Sequence, residues 1–381
     1  MPRRHICFVT GTRAEYGLMR STLRAIADHP TLQLQLVATG MHLSRSRGRS
    51  LDEIRKDGWK VDAVVPWPEQ RSSQTETARA TGAALSGLAM GFAELNSDVV
   101  LVVGDRVEAF AAAAAAHIGG QLVAHVHGGD RALGLVDDSL RHTITKLAHI
   151  HFPATRQSAR RIIRLGEDQW RVFQVGSPGL DDIRSTAASR DQITQAFPGL
   201  VARRYALVVY HPETADENVE AGHARSLLQA INSAGVETVV NIHPNNDPGS
   251  NGITRTWDAL ETRQDLYIRR NLSRPLFLGL LRDAALLAGN SSSGIIEAAS
   301  FGTPVLDVGD RQKGRERGEN VIHSSMASTP LARAIRKIWN KGSPIRFSQP
   351  NIYGRGNSGR QIASALARIK IDQFRRKLIS Y

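Results

Sequence analysis

Several short polar clusters carry residue types that do chemistry, and each follows an apolar run. Gly11-Thr12-Arg13 sets an arginine beside turn amides, an arrangement suited to an anion. A capped helix with a surface arginine reads the same residues equally well. Gly104-Asp105-Arg106 closes the most apolar run in the chain. A carboxylate partly desolvated there could serve as a base, and a helix N-cap competes, because Ala109 to Ala116 follow. His125-Val126-His127-Gly128-Gly129-Asp130 alternates its histidines, so an extended chain points both to one face. Such a pair could bind metal, but no third ligand stands at a suitable distance. A hydrogen-bonding or acid role for His127, beside the glycine turn, fits better.

Asp137-Asp138-Ser139-Leu140-Arg141-His142 opens a helix, with Asp137 and Arg141 four apart on one face as in a surface ion pair. In the second half, His211-Pro212-Glu213-Thr214 follows an apolar run, from which His211 could reach phosphate or sugar. Lone histidines are more often structural. Gly289-Asn290-Ser291-Ser292-Ser293-Gly294 turns out of Ala284 to Ala288 into an apolar periodic segment. Hydroxyls and amides there make an anion seat, and Glu297 is expected in the first helical turn, within reach of ribose hydroxyls.

The elements that must position these clusters alternate. Strands are predicted at 5–10, 32–38, 61–65, 98–105 and 122–126, with helices between them, including a long one over 75–95. After a break at Val175-Gly176-Ser177-Pro178-Gly179 the alternation resumes with strands at 205–210, 237–242, 266–269, 285–288 and 304–308. A long amphipathic helix is predicted over 361–378. Near-continuous Val/Leu runs such as 98–103 mark parallel strands covered on both faces. The pattern predicts an α/β chain of two Rossmann-like domains, 1–176 and 177–365, with a C-terminal helix (366–381) returning to the first. Ligands of such sheets bind beyond the carboxyl ends of the strands, so both halves are expected to present these clusters to one interdomain cleft.

Composition narrows the classes. The 381 residues exceed one ordinary core. The formal net charge of +13 suits a phosphorylated substrate, a polyanion or an acidic surface. No aromatic-interleaved basic block points to nucleic acid. Cys7 is the sole cysteine, which excludes an internal disulfide and a cysteine metal site. No secretory leader or membrane-length apolar run is present, so a cytoplasmic protein without membrane contact is expected.

Together these motifs resemble the UDP-N-acetylglucosamine 2-epimerase family, especially its hydrolysing bacterial branch that supplies nonulosonic acid synthesis. The most specific match runs from His127-Gly128-Gly129-Asp130 through Asp137-Asp138-Ser139-Leu140-Arg141-His142-Thr143-Ile144-Thr145-Lys146. Gly11 to Tyr16, Thr39-Gly40-Met41-His42-Leu43-Ser44, Gly104-Asp105-Arg106, Pro244 to Gly249, Gly289 to Ala298, Arg311 to Arg315 and Tyr353 to Asn357 also match, in order, over nearly the whole chain. The resemblance implies a GT-B-type architecture and UDP held mainly by the second domain. Asn290, Ser291, Ser292, Ser293, Glu297 and His243 would be at UDP, with Arg13 at the diphosphate and His42, Arg311 and Arg315 contacting sugar or diphosphate. Catalysis would fall to Asp105, His127, Asp130, Asp137, Arg141 and His211. The reaction would remove the C2 proton, expel UDP to give a glycal, and add water with inversion at C2. It implies no metal, no cofactor and a homodimer.

Members acting on UDP-N-acetylglucosamine often carry Glu where this chain has His127. His there resembles the branch acting on 2,4-diacetamido-2,4,6-trideoxy UDP-sugars, whose members usually place Glu at the position of Asp130, and many have Glu in place of Leu133. The substrate stays open between these sugars. A non-hydrolysing epimerase, a GT-B glycosyltransferase and a non-catalytic UDP-sugar binder are the alternatives.

Overall fold

The computed structural model describes residues 3–43, 50–67, 74–131, 137–244, 247–261, 263–378 and 380. Ser44, Leu133, Asn245, Asn246 and most of the arginine-rich segment after Ser44 lie outside them. The chain divides into two compact units, residues 1–181 with 353–381, and residues 182–352.

The first unit is built on six parallel strands, β1 (Arg4–Thr10), β2 (Leu32–Ala38), β3 (Ala63–Val64), β4 (Val99–Val103), β5 (Leu122–Val126) and β6 (Ile150–Phe152), in the order β3-β2-β1-β4-β5-β6. Alternate side chains of β1 and β4 enter opposite cores. Phe8 and Leu101 meet Leu23, Ile26, Ile362 and Leu366 on one face. Cys7, Val100 and Val102 meet Ala112, Ala115, Ala84 and Leu88 on the other. The alanines of helix Val107–Ile118 let its backbone lie close to the sheet, so a strand buried on both faces needs no polar side.

The second unit repeats this topology without repeating the sequence. Its strands β7 (Tyr205–Val209), β8 (Thr238–Ile242), β9 (Leu266–Arg269), β10 (Leu286–Gly289), β11 (Val305–Val308) and β12 (Val321–Ser324) are ordered β12-β11-β10-β7-β8-β9, all parallel. In both sheets the strand order reverses beside the first strand, between β1 and β4 and between β7 and β10. The clusters after those four strands are Gly11-Thr12-Arg13, Gly104-Asp105, His211 and Asn290-Ser291. They therefore lie where doubly wound sheets open a crevice.

Several elements differ from expectation. The predicted C-terminal helix is two, Ser358–Arg368 and Ile371–Arg375. Ile369 is extended between them, and Arg4 donates to the freed carbonyls of Leu366 and Ile369. The first crossing between units falls at 181/182 rather than 176/177, and the return at 352/353 rather than 365/366. Asp181 accepts from the amides of Ser358 (2.8 Å) and Gly359 (2.7 Å), which fastens both segments to the first unit. The 98–105 strand stops at Val103 because Gly104 turns at φ +80°. Strands β6 and β12 are too short and mixed in composition to have stood out.

Candidate active site

In the first unit, β4 ends at Val103 and β5 at Val126, which brings Asp105 and His127 to the same edge of the sheet. His127 leaves the strand at φ +61°, a left-handed conformation that L-residues rarely adopt. The two histidines therefore do not share a face. His125 turns inward to the Gly104 carbonyl (2.8 Å) and Thr145 Oγ1 (3.2 Å), and burial brings its pKa down to about 3.

Helix Asp137–Leu147 supplies Arg141, buried with only 7% of its side chain exposed. It does not pair with Asp137 along the helix. Its guanidinium donates to the carboxylate of Asp105 and to the His127 carbonyl (2.8 Å). A buried arginine needs a carboxylate partner more than an exposed helix pair needs one. Asp105 is thus ion-paired, and Arg106, not Asp105, precedes the helix as its cap residue. Asp137 is exposed at the start of this helix, and partial desolvation and the charge of Asp105 raise its pKa against the pull of Arg141 and Arg106. His127 places Nδ1 2.8 Å from Asp130 Oδ2 and Nε2 3.0 Å from Ser177 Oγ. Burial works to raise Asp130, but the hydrogen bond from His127 and the charges of His127 and Arg141 hold it at about 2. Asp105, His127, Asp130, Asp137 and Arg141 thus form one coupled cluster.

The turn after β1 is built differently from expectation. Glu15 accepts from the amides of both Gly11 (2.8 Å) and Thr12 (2.9 Å) in a capping box, so those donors are occupied by the chain's own carboxylate. Arg13 is exposed and pairs with Glu53 at 2.9 Å. His42 is fully buried, held by Thr10 Oγ1 (2.9 Å) and Ser50 Oγ (2.7 Å), and burial lowers its pKa to about 4.

In the second unit, Asn290 binds the end of β10 to the end of β7. Its side chain accepts from the His211 amide and donates to the His211 carbonyl, both at 2.8 Å. His211 is buried with its pKa pressed to about 4 by burial and Arg311. Arg311 reaches Asp247 at 3.2 Å, its pKa lowered by burial against that carboxylate and further by Arg315. Ser291 caps the five-residue helix Ser292–Ile296 by accepting from Ser293 N. Glu297 therefore ends that helix instead of opening it, and pairs with Arg274 at 2.8 Å. A cleft of about 720 Å³ is lined by His211, His243, Arg270, Phe277, Ser291 and Ser293 among others. It lies past the carboxyl ends of β7, β8, β9 and β10. His243 sits 3.4 Å from Asp258, its pKa lowered by burial. Among the described residues no group of three or more His, Cys, Asp or Glu is placed to hold a metal ion, and no helix is long and apolar enough to cross a membrane.

A family model described as UDP-N-acetylglucosamine 2-epimerase matches residues 24–367. The chain belongs to this 2-epimerase family. It is 37% identical over 369 residues to a hydrolysing UDP-N,N'-diacetylbacillosamine 2-epimerase of Legionella pneumophila, with 97% of each chain covered. It is 32% identical over 357 residues to a UDP-N-acetylglucosamine 2-epimerase of Neisseria meningitidis, covering 93% of this chain and 92% of that one. The crystal structure of UDP-GlcNAc 2-epimerase from Neisseria meningitidis bound to UDP-GlcNAc shares the fold, with a TM-score of 0.79 at 21% identity over 96% of this chain and 100% of that one.

Within this 2-epimerase chain, three site residues escape a reading of the sequence. Ser177 marks only a break in the pattern, yet it reaches His127 from fifty positions away. Ser158 donates to Asp130 at 2.6 Å from a helix the sequence does not announce. Glu213 accepts from the Arg311 amide at 2.7 Å and packs where a side chain on Gly309 would stand. No local spacing signals any of these contacts.

Proposed function

We propose that this enzyme is a hydrolysing 2-epimerase that converts a UDP-HexNAc and water into an N-acetylmannosamine-type sugar and UDP. The observation that carries this reading is the unequal carboxylate pair: Asp105 ion-paired with Arg141, beside Asp137 whose pKa is raised. Two neighbouring carboxyls in such different surroundings can divide the acid and base roles between them. Asp105 takes the C2 proton, the C1–O bond breaks with its electron pair leaving on UDP, and a C1–C2 double bond forms. Asp137 then returns a proton to C2 on the opposite face. Water adds its oxygen to C1 and gives a proton back to Asp137, while Asp105 releases its own to solvent. In the second unit, Ser291, Ser293, His211 and His243 around the 720 Å³ cleft support a seat for UDP, with Arg311 and Arg315 offsetting the charge that develops on the leaving diphosphate.

The sugar is proposed to be the 2,4-diacetamido-2,4,6-trideoxy type. The activity for which the Legionella pneumophila relative is named supports this, as does His127 where UDP-N-acetylglucosamine users often have Glu. The enzyme is further proposed to act in the cytoplasm as a homodimer. Incubation with each UDP-sugar in heavy water, followed by proton NMR, tests the function. Release of UDP without any acceptor, with deuterium at C2 of the freed sugar, is expected. Absence of both with either sugar would overturn the reading, and preference for UDP-N-acetylglucosamine would overturn only the choice of sugar.

A further inference from the structure

Ser177 precedes a 3₁₀ turn over Pro178–Leu180 and occupies its N-cap, a place where a serine hydroxyl ordinarily accepts from the helix amides. Here it makes no such bond. Its Oγ lies instead 3.0 Å from Nε2 of His127, and both residues are buried. The opposite ring nitrogen is 2.8 Å from Asp130 Oδ2. The other oxygen of Asp130 accepts from Ser158 (2.6 Å), whose hydroxyl accepts from Thr155 (3.0 Å). The main chain leaves Ser177 little latitude, since its amide donates to the Tyr353 carbonyl at 2.6 Å. Gly176 at φ +86° has no room for a side chain against Tyr353 O and Gly354.

We propose that Ser177 is a positioning residue which, with Asp130, fixes the tautomer of His127 and lets that ring gain and lose a proton without moving. This inference rests on the epimerase reading for the use made of His127. An ionised Asp130 only accepts, so Nδ1 carries the hydrogen and Nε2 of the neutral ring accepts from the Ser177 hydroxyl. When Nε2 takes a proton, the same hydroxyl rotates and accepts it. A serine serves both states at one distance, where a backbone amide or carbonyl would serve only one. Among the described residues, the charged groups near the ring include Asp130 on its own loop, Arg141 from helix Asp137–Leu147 and Asp105, which Arg141 pairs with, and the titratable His125 stands beside it on β5. Asp130 is the carboxylate that hydrogen-bonds the ring, so the cationic ring depends on Asp130 and on an acceptor at Nε2.

The first measurement needs no variant. Nitrogen-15 NMR of the histidine-labelled resting enzyme is expected to show His127 protonated at Nδ1, with a hydrogen-bonded, unprotonated Nε2. The reverse tautomer would overturn the proposal, even in an enzyme inactive on both sugars, whose inactivity would count against the function alone. In kinetics, Ser177→Ala is expected to lower kcat about 10-fold with KM within about 2-fold, the size of one lost hydrogen bond to a group that becomes charged. The acid limb of its kcat profile is expected to move to lower pH. Ser177→Thr, which keeps the hydroxyl, is expected to recover most of kcat and the original profile. Equal impairment of both variants with an unmoved profile would mean that the site needs only its shape, and would overturn the proposal.

Discussion

Asp105 and Asp137 are chemically alike and are made different by what surrounds them. Arg141 donates to Asp105, while Asp137, exposed at the start of its helix, feels the charge of the Asp105 carboxylate. The two substitutions should therefore stop the reaction at different points. Asp105→Asn is expected to abolish C2 exchange and UDP release together, by a factor of about 10²–10⁴ in kcat. Asp137→Asn is expected to release UDP while the glycal accumulates, visible as an olefinic proton by NMR. Identical behaviour of the two variants would contradict the division of roles. The sequence carried both carboxylates but misassigned the arginine, since helical spacing alone favours Asp137 as its partner. Only the convergence of β4 and β5 shows that Asp105 is nearer.

At the level of elements, the turns hold more constraint than the strands. Gly129, at φ +75°, lies against the helix Arg156–Arg164, and a Cβ there would sit 2.4 Å from the Ser158 carbonyl and 2.8 Å from Ile162. Gly129→Ala should cost about 3 kcal/mol or more by combining backbone strain with a backbone clash, read as a lower urea midpoint with lost activity. The capping box after β1 has a pH signature. Glu15 is raised to about 7, first by burial and then by Glu108, against ~4.3 in an unfolded chain. Its contribution is full below ~4.3 and is lost as pH rises through about 7, a change of the order of 3 kcal/mol. Glu15→Gln keeps an oxygen for both amides and removes the charge. It should raise the thermal midpoint at pH 8 more than at pH 5, and an equal shift at both would refute the account. The sequence made this turn legible as a helix start. That its own Glu15 takes the amides an anion would use was not legible, because Thr-x-x-Glu spells a capping box and an anion seat with overlapping residues.

For the whole molecule, alternation of apolar runs and helices sufficed to foresee two parallel-sheet halves, because strands such as Val99–Val103 are apolar on both faces. The division of the chain was less visible. It depends on polar fastenings, Asp181 to Ser358 and Gly359, which join residues far apart in sequence. The end of the chain is fastened in a similar way. Glu167, its side chain wholly buried, accepts from Lys146 (2.6 Å), Lys377 (2.9 Å) and His151 (3.1 Å), and these bonds hold it at about 2 against burial. Lys377 also donates to the carbonyls of Thr145 (3.3 Å) and Ala148 (2.6 Å), and burial brings its pKa to about 8. Lys377→Ala should remove roughly 3 kcal/mol from the first unit, as loss of one partner of a buried ion pair does. Hydrogen exchange should report the loss there and leave residues 182–352 unchanged. The stability Glu167 lends is present above ~4.3 and fades as pH falls through about 2.

Helix Ser358–Arg368 packs on the first helix of the chain, and its Ile362 and Leu366 complete the core around Phe8. A ribosome therefore makes the second unit in full before the first can close. Residues 182–352 can fold as they emerge, while the strands β1 to β6 wait with one apolar face bare until the final helices arrive. The half that is synthesised earliest is therefore the half that exposes apolar surface longest during synthesis.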